Sequence, residues 1–429
     1  MVEKLLTSPD ANRKKMSADT RWLLRLCCSQ IFIMLVFINY SAVLPLLKQE
    51  WNISNTMAGS IFSVYQLGYI LSGVILSTLT DRLNTRYIFL TAALWSGIAN
   101  LLFALYAHDY LSAMVLRALT GIGMGGTYMP GLKLVAERFS PTERGRAIGI
   151  YVGSLVLGAS LSLAVTGAVT SLAGWRIAFV VCSGGVFVGL LIARKVFHDY
   201  HPLPFAGTSG GFRAEVVKNR PAFLMILGYG SHMWEMYSMR SWVAPFFVAL
   251  LAGNGMARES ATGWASTAAA LIVGVGTFST AITGTLSDRW GRTGTITIVM
   301  LASTCLSFLF GWLINLNPLV ALVVGIAYGY LVVAESPVFS TGLTELVAPA
   351  YLGAAMGIQS LVGYSMGMIS PTVFGWALDV YKGWEPWPGI NGEWGIAFAT
   401  AGIGGLMGPF WMWLLRRRPE SARMAGGKR

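Results

Sequence analysis

The stretch Gly284-Thr-Leu-Ser-Asp288-Arg289-Trp-Gly291-Arg292 is the most informative part of the chain, because a related stretch occurs about 207 residues earlier. The earlier version reads Ser77-Thr-Leu-Thr-Asp81-Arg82-Leu-Asn84-Thr85-Arg86. The spacing is kept further along, since Gly145, Ala147 and Gly149 match Gly353, Ala355 and Gly357. An internal repeat of this length indicates two equivalent halves, a pattern typical of secondary transporters.

The composition indicates that this repeat is embedded in a membrane. Of the 429 residues, 55% are hydrophobic and only 12% are charged, whereas soluble proteins carry about 25% charged residues. A membrane-spanning helix needs about 20 apolar residues. The sequence therefore predicts an all-α membrane protein with twelve transmembrane helices in two six-helix bundles. We place the spans at Leu24–Leu47, Thr56–Leu79, Tyr87–Ala107, Tyr110–Leu134, Ala147–Leu172, Ile177–Val196, Pro221–Leu250, Ala261–Leu286, Gly294–Leu313, Pro318–Leu343, Gly353–Leu378 and Gly395–Leu415.

The charges between the spans predict the orientation of the chain. Roughly 24 of the 31 Lys and Arg residues fall in the two tails and in alternate loops, and only four fall in the other loops. Because basic loops stay in the cytoplasm, we expect both termini there, with the chain in the cytoplasmic (inner) membrane. The predicted units are a tail at 1–23, a first bundle at 24–197, a linker at 198–220, a second bundle at 221–415 and a tail at 416–429.

The sequence lacks the patterns of several other protein classes. The four cysteines lie in apolar stretches and the four histidines are scattered, so neither set has metal-ligand spacing. No Gly-rich loop ends in Gly-Lys-Ser/Thr, the pattern that holds nucleotide phosphates. The net charge of +12 comes from helix ends and not from one face. We therefore expect no enzyme activity, no cofactor and no nucleic-acid partner, but a monomer in the lipid bilayer whose partners are protons and a small molecule.

The motifs resemble those of the major facilitator superfamily. Its loop pattern is Gly-x-Leu-x-Asp-Arg-x-Gly-Arg-Arg, to which the copy at Gly284 is more similar than the copy at Ser77. The fourth span carries Arg117-Ala-Leu-Thr-Gly121-Ile-Gly123, which resembles the family signature Arg-x-x-x-Gly-x-Gly. The resemblance implies two bundles that rock around a central cavity, with the first, fourth, seventh and tenth spans lining it.

Within the superfamily, the chain most resembles prokaryotic permeases for small anions such as cyanate and nitrate. The resemblance rests on the seventh span, Tyr229-Gly-Ser-His232-Met-Trp234-Glu235-Met-Tyr237-Ser-Met-Arg240-Ser-Trp242. Two departures limit the resemblance. The fifth span lacks the Gly-Pro pair of drug–proton antiporters, and the second and eighth spans lack the arginine that nitrate carriers place there. The resemblance therefore implies neither drug efflux nor nitrate specificity.

Two arginines inside spans are candidate substrate ligands, because a charge within a span costs about 2.5–3.5 kcal/mol on insertion scales. Arg117 lies seven residues inside the fourth span, and a guanidinium can hold an anion through two parallel hydrogen bonds. The alternative for Arg117 is a structural role, in which it holds helices together through carbonyl groups. The alternative for Arg240 is to extend toward the membrane surface beside Trp242.

Three titratable residues are candidates for proton coupling. His232 and Glu235 are three residues apart and share a helix face, and burial of a carboxylate beside an imidazole favours proton exchange near neutral pH. The alternative is a hydrogen-bonded pair that fixes the helix. Glu335 precedes Ser336-Pro337 in the tenth span, where the proline predicts a kink. A second proton site and a static buried acid both remain open for Glu335.

Further polar side chains complete the predicted site. Candidate substrate contacts besides the arginines are Tyr40, Tyr69, Tyr128 and Tyr328, and Asn39, Gln66 and Gln359 add polar groups to the spans. The repeated loops are predicted to gate the cytoplasmic side, because each places an acid near a helix end, where a basic partner across the bundle can reach it. The candidate gating residues are Asp81, Arg82, Arg86, Asp288, Arg289 and Arg292.

The sequence thus predicts a secondary active transporter that moves a small organic or inorganic anion by alternating access, coupled to protons. Two alternatives remain. One is an exporter of a hydrophobic or cationic compound, with Glu235 and Glu335 as the cation sites. The other is a membrane receptor or scaffold that does not transport, although a static protein has no need of two gate motifs.

Overall fold

The computed structural model describes residues 18–79, 83–139, 141–198, 218–348 and 351–428. In these ranges the chain folds into fifteen α-helices and three short 3₁₀ segments. The α-helices are α1 (Ala18–Ile33), α2 (Asn39–Glu50), α3 (Asn55–Leu79), α4 (Thr85–Tyr106), α5 (Tyr110–Arg138), α6 (Pro141–Ala173), α7 (Trp175–Val196), α8 (Arg220–Gly253), α9 (Arg258–Gly274), α10 (Gly276–Trp290), α11 (Arg292–Phe310), α12 (Pro318–Ala334), α13 (Ser336–Leu346), α14 (Leu352–Val380) and α15 (Glu393–Arg416). The 3₁₀ segments are Met34–Val36, Gly311–Asn315 and Pro419–Gly427.

These helices form the twelve predicted spans. Three spans consist of two helices each, namely α1 with α2, α9 with α10, and α12 with α13. Ten spans have the length and hydropathy needed to cross a membrane. The other two, α5 and α8, contain 29 and 34 residues, or roughly 44 and 51 Å at 1.5 Å per residue. They are long enough to cross but carry more polar and charged residues, which suits helices that face the protein interior.

Local sequence explains where the helices begin and break. The side chains of Asn84, Asp109, Asn219 and Asn317 accept hydrogen bonds from backbone N–H groups at the starts of α4, α5, α8 and α12. At Asp109 the hydrogen bonds from Ser112 also lower the pKa of the carboxyl below its usual value. The tenth span breaks at Glu335, because Pro337 lacks the N–H that an uninterrupted helix would use.

The spans assemble into two six-helix halves, α1–α7 and α8–α15. With an even number of spans, both described ends of the chain lie on one side of the membrane, which we call the terminal face. The other side is called the opposite face. The predicted linker at 198–220 and the first tail fall mostly outside the described residues.

Aromatic side chains pack the opposite-face end of each half. In the first half, Phe103 stacks on Phe179 with ring centroids 4.8 Å apart, and Trp175 meets both edge-on. In the second half, Trp242 stacks on Phe374 at 5.3 Å. Large rings bury much apolar surface and prefer such geometries. These ring contacts make the opposite-face end of each half a closely packed region that supports the site.

Candidate functional site

Arg240 lies deep in the protein, where the two halves meet. It is twenty residues from the start of α8 and thirteen from its end, roughly 30 and 20 Å along the helix. The Ser41 hydroxyl of α2 donates to the carbonyl oxygens of Arg240 at 3.2 Å and Ser241 at 2.6 Å. The Arg240 residue is only 7% exposed, so it does not extend to the membrane surface.

The guanidinium of Arg240 has no charged partner among the described residues. Its Nε atom is buried without a hydrogen-bond partner, and no ion pair found among the described residues includes it. Its electrostatic neighbours are the phenols of Tyr237, Tyr364 and Tyr229. A buried charge without a counter-ion is costly, so this arrangement leaves room for an anion to supply the missing charge.

Phenol and amide groups of the first half contact the phenols that lie next to Arg240. Tyr69 of the first half and Tyr364 of the second have hydroxyl groups 3.5 Å apart and ring centroids 4.9 Å apart. Tyr237 packs on Tyr364 at 6.1 Å. Both amide atoms of Gln66 are buried without a hydrogen-bond partner within the described ranges. We call this set the central cluster; its members are Gln66, Tyr69, Tyr128, Tyr229, Tyr237, Arg240 and Tyr364.

Arg117 occupies a different place, inside the first half. It is fully buried and donates to the carbonyl oxygens of Val36 at 3.3 Å and Phe37 at 3.1 Å, and to Oδ1 of Asn39 at 3.0 Å. Its guanidinium also lies 4.3 Å from the centre of the Tyr65 ring. These acceptors are at the break between α1 and α2, where the regular helical hydrogen bonds are interrupted. Arg117 therefore braces the break in the first span.

His232 and Glu335 form a buried pair inside the second half. The two atoms His232 Nδ1 and Glu335 Oε1 are 2.9 Å apart, and both side chains are shielded from solvent. Glu335 is the residue at which the tenth span breaks, so the contact ties that break to α8. Nε2 of His232 and Oε2 of Glu335 have no hydrogen-bond partner among the described residues. The helical spacing pointed to Glu235 as the neighbour of His232, whereas the hydrogen bond is made to Glu335.

Glu235 lies in the same interior but points to other helices. The Ser303 hydroxyl of α11 donates to its Oε2 at 3.2 Å, and Tyr328 of α12 and Glu335 are in electrostatic range. Gly405 of α15 packs so closely that an added Cβ would clash with the same oxygen. Glu235 is therefore enclosed within the second half and does not face the first.

At the opposite face, Asp379 joins the two halves. This residue near the end of α14 accepts hydrogen bonds from the backbone N–H groups of Asn55 at 2.9 Å and Thr56 at 2.7 Å, and from the Thr56 hydroxyl at 2.6 Å. An acid of the second half thus caps the first turn of α3 in the first half. A little deeper, the hydroxyls of Ser63 and Thr372 are 2.7 Å apart.

The distribution of such contacts defines the conformation. Among the described residues, every hydrogen bond between the halves lies between the opposite face and the level of the Tyr69–Tyr364 contact. At Gly59 the halves approach so closely that an added Cβ would clash with the carbonyl oxygen of Pro371. The protein is therefore closed at the opposite face. Toward the terminal face, no hydrogen bond between the halves is found among the described residues.

At the terminal face, the second repeated loop is held within its own half. Arg292 pairs with Asp288 at 2.6 Å and with Glu345 at 2.8 Å, and Arg289 is exposed. In the first repeated loop, Arg86 donates to the hydroxyl of its neighbour Tyr87 at 2.7 Å. Asp81 and Arg82 lie outside the described residues. In this conformation Asp288 and Arg292 make no hydrogen bond to the other half within the described ranges.

The predicted substrate residues therefore separate into three places. Arg240, Tyr69 and Tyr128 meet in the central cluster. Tyr40 accompanies Arg117, 5.8 Å from its guanidinium. Tyr328 lies with Glu235 inside the second half. The central cluster also contains residues of the second and eleventh spans. The resemblance implied that the first, fourth, seventh and tenth spans line the cavity.

The sequence did not distinguish several members of these sites. Gln66 stood out only as one of several polar residues, and Tyr229, Tyr237, Tyr364 and Asp379 were not among the candidates. A phenol in an apolar stretch is indistinguishable from a packing residue until its neighbours are known. Asp379 offered a signal, since it is an acid directly after a predicted span.

Comparison with known proteins identifies the family. The model of the Major Facilitator Superfamily matches residues 26–371. The chain belongs to this superfamily. A crystal structure of a D-xylose–proton symporter of the superfamily fold superposes with a TM-score of 0.71 and 16% identity, over 94% of this chain and 98% of that one. This likeness confirms the twelve-helix fold.

Two relatives of this major facilitator come from bacteria of one genus. A probable sulfoacetate transporter of Cupriavidus necator is 24% identical over 385 residues, covering 83% of this chain and 87% of the relative. A probable 4-methylmuconolactone transporter of Cupriavidus pinatubonensis is 25% identical over 342 residues, covering 76% of each chain. Family and relatives together confirm the prediction of a multi-pass membrane transporter and not an enzyme.

Proposed function

We propose that this major facilitator is a secondary active transporter that moves a small organic anion across the cytoplasmic membrane by alternating access. One observation carries the proposal: Arg240 is buried where the halves meet, without a counter-ion among the described residues. An anion bound there supplies the missing charge and contacts both halves at once. A substrate in that position can favour the closure of the halves around it.

The surroundings of Arg240 support a small anion with several oxygen atoms. A guanidinium offers a planar fork of donors that matches carboxylate, sulfonate or phosphate oxygens. Phenol hydroxyls of Tyr69 and Tyr364, one from each half, can donate to further oxygens. The amide of Gln66 can do the same. A relative named for sulfoacetate, a small organic anion, agrees with this chemistry.

Arg117 is assigned a different part in the proposal. Its two terminal nitrogens donate to Val36, Phe37 and Asn39, and only its Nε has no partner among the described residues. An anion would therefore have to displace three existing hydrogen bonds to reach the terminal nitrogens. Arg240 offers its charge without that cost. We therefore assign the anion to Arg240 and the bracing of the first span to Arg117.

Alternating access is supported by the asymmetry of the interface between the halves. The Asp379 contact with Asn55 and Thr56 closes the opposite face. For the transporter to open there, this contact must break, and new contacts must form at the terminal face. The second repeated loop, with Asp288 and Arg292, is placed to make them. With the orientation expected from the basic loops, the terminal face is cytoplasmic.

Proton coupling is assigned to the acids inside the second half. Glu235 and the His232–Glu335 pair are enclosed there, and Glu235 and His232 lie on α8, the helix that also carries Arg240. The pair joins α8 to the break in the tenth span. Gain or loss of a proton changes the charge at this joint and can alter the angle between α12 and α13. Such a change would act on the helix that holds the substrate ligand.

The proposal is tested by uptake into proteoliposomes. Labelled small carboxylates, sulfonates and uronates are offered to the monomeric transporter, with and without an imposed pH gradient. We expect one class to accumulate, Arg240→Gln to abolish its uptake, and the exposed control Lys195→Gln to leave it unchanged. Uptake of an anion that persists in Arg240→Gln contradicts the assignment of the site. Uptake of a lipophilic cation instead of any anion favours the export alternative, with Glu235 and Glu335 as ligands, and movement of neither favours the non-transporting receptor.

A further inference from the structure

A basic cavity lies at the terminal face, between the start of α8, the end of α13 and the C-terminal segment. It has a volume of about 350 Å³, within the range of about 300–1,000 Å³ for small-molecule sites. Its lining carries four cationic side chains and one carboxylate. The charged residues are Lys218, Arg220, Arg418, Arg423 and Glu420. We call it the basic cavity.

Within the part of the chain that the structure describes, no carboxylate forms an ion pair with the cations of the basic cavity. None of the ion pairs found in the described ranges includes any of its four cations. The single carboxylate of its lining, Glu420, has a buried Oε2 atom without a hydrogen-bond partner there. The dipole of α8 adds partial positive charge, because the helix starts at the cavity wall, although Pro221 has no N–H and that of Ala222 is taken by Asn219. The cavity is therefore suited to an anion with more than one oxygen.

The walls of the cavity are fixed to one another. The amide of Asn219, just before α8, donates to the carbonyl oxygen of Leu346 at the end of α13 at 3.0 Å. On the other side, the C-terminal segment Pro419–Gly427 is anchored by Met424, which is fully buried. The backbone N–H of Ala425 also donates to Glu345 at 3.1 Å. The cations are thus held on a built surface that joins three parts of the chain.

The height of the cavity matches that of lipid headgroups. On α15, Phe410 and Trp413 are 45% and 48% exposed, and Arg417 lies 3.7 Å from the centre of the Trp413 ring. Tryptophan is enriched at the membrane–water interface, where its amphipathic ring lies at the headgroup level. Arg418 lies five residues beyond Trp413, roughly 7 Å along the axis. The polar headgroup layer on each side of the hydrocarbon is also about 5–7 Å thick.

We propose that the basic cavity binds the phosphate headgroup of an anionic phospholipid from the leaflet at the terminal face. Basic pockets between transmembrane helices at that height are known to take such headgroups. A soluble phosphate has the same chemistry, but the height and the neighbouring aromatic belt favour a lipid, whose acyl chains can lie along α15.

A bound lipid would also act on the gate. The C-terminal segment that forms one wall donates from Ala425 to Glu345 of α13. Lys428, directly after the segment, contacts the second repeated loop, because its Nζ donates to the carbonyl oxygen of Asp288 at 2.8 Å. Glu345 and Asp288 are the partners of Arg292. A headgroup that holds Arg418 and Arg423 would keep the segment on the loop and favour the present conformation.

The test measures lipid binding by the purified full chain and needs no transport activity. The protein in detergent is titrated with phosphatidylglycerol or with phosphatidylcholine, and bound lipids are counted by native mass spectrometry. We expect one saturable phosphatidylglycerol site and no equivalent phosphatidylcholine site. The double variant Arg418→Gln/Arg423→Gln should bind roughly 30-fold more weakly, given about 1 kcal/mol for each basic residue near a lipid surface.

Matched variants make the outcome decisive. Arg194→Gln/Lys195→Gln removes the same charge from exposed positions at the end of α7 in the other half and should bind as the wild type does. Lys218→Gln/Arg220→Gln removes two charges from the opposite wall and should weaken binding as well. Because this variant leaves the C-terminal segment unchanged, its weaker binding could not be attributed to misfolding of that segment. Equal weakening in the α7 control, equal binding of phosphatidylcholine, or displacement of the lipid by millimolar inorganic phosphate would each overturn the lipid site.

Discussion

Each half of this transporter buries an arginine, and the two differ in what surrounds them. Arg117 in the first half has three acceptors for its N–H groups and repairs a break in the first span. Arg240 in the second half has no carboxylate partner among the described residues, and its neighbours are phenols of its own half, of which Tyr364 contacts Tyr69 of the first half. Burial of a charge therefore does not by itself indicate function. Neither arginine has a carboxylate partner among the described residues, but acceptors already engage the guanidinium of Arg117 and none is found there for that of Arg240. This difference distinguishes the proposed ligand from the brace.

The largest expected effect is the loss of transport on removing Arg240. Arg240→Gln should reduce anion uptake by at least about 30-fold, since truncating one partner of a buried charge pair costs about 2–5 kcal/mol. The melting temperature should stay the same or rise, because an uncompensated buried charge is removed. Uptake and thermal unfolding are measured on the same preparation. A variant that transports normally would end the distinction between the two arginines.

Arg240→Lys tests whether the site needs the shape of the guanidinium or only its charge. Lysine keeps the charge but offers a point ammonium in place of a planar fork. We expect weaker binding of the anion, with uptake restored at high substrate concentration in the proteoliposome assay. If Arg240→Lys were as inactive as Arg240→Gln even at saturating substrate, the charge alone would not account for the site.

Arg117→Gln should act mainly on stability. The substitution leaves the carbonyl groups of Val36 and Phe37 without donors, and each buried unsatisfied group costs about 1–3 kcal/mol. We expect the melting temperature in detergent to fall by several degrees. Residual folded protein should keep the substrate concentration for half-maximal uptake. A normal melting temperature with a much weaker affinity would make Arg117 a substrate ligand again.

The acids of the second half extend the comparison to proton coupling. With a gradient of one pH unit, symport of one proton allows roughly tenfold accumulation of substrate, because one unit corresponds to about 1.4 kcal/mol. Glu235→Gln should abolish this accumulation while exchange of labelled for unlabelled substrate persists. The same accumulation and exchange should be measured for Glu335→Gln, which changes the partner of His232, and compared with those of Glu235→Gln. Loss of both exchange and accumulation, or of neither, contradicts the assignment of Glu235.

The smallest expected effect concerns the contact between the halves. Asp379→Asn keeps an oxygen acceptor but removes the charge at the first turn of α3, an interaction of about 0.3–1 kcal/mol. We expect a two- to fivefold shift toward a conformation open at the opposite face. The shift can be followed by labelling a cysteine introduced at Ser63 with a membrane-impermeant thiol reagent. Unchanged labelling would show that Asp379 does not hold this face closed.

Much of the architecture could be predicted from the sequence. All twelve spans were found, with boundaries mostly within six residues, because a bilayer forces long apolar stretches to become helices. The kink at Glu335 followed from Pro337, since proline removes a backbone donor. The repeat around Asp81 and Asp288 led to the superfamily that the comparison confirmed.

The site was less predictable, because a hydrogen bond between distant residues leaves no local pattern. The sequence identified Arg117, His232, Glu235, Arg240 and Glu335 as buried charges, since apolar spans make each of them conspicuous. It could not assign partners. His232 pairs with Glu335, 103 residues away, although Glu235 is its neighbour on the helix.

The membrane location, the number of spans, the repeat and the set of costly charges are thus properties of the sequence alone. They depend on composition and spacing, because each segment meets the requirements of the bilayer on its own. Which charges are satisfied and which are not is a property of the tertiary structure. That outcome depends on how helices from both halves pack, as in the contact between Tyr69 and Tyr364 near Arg240. The same packing closes one face of the protein through the hydrogen bonds of Asp379.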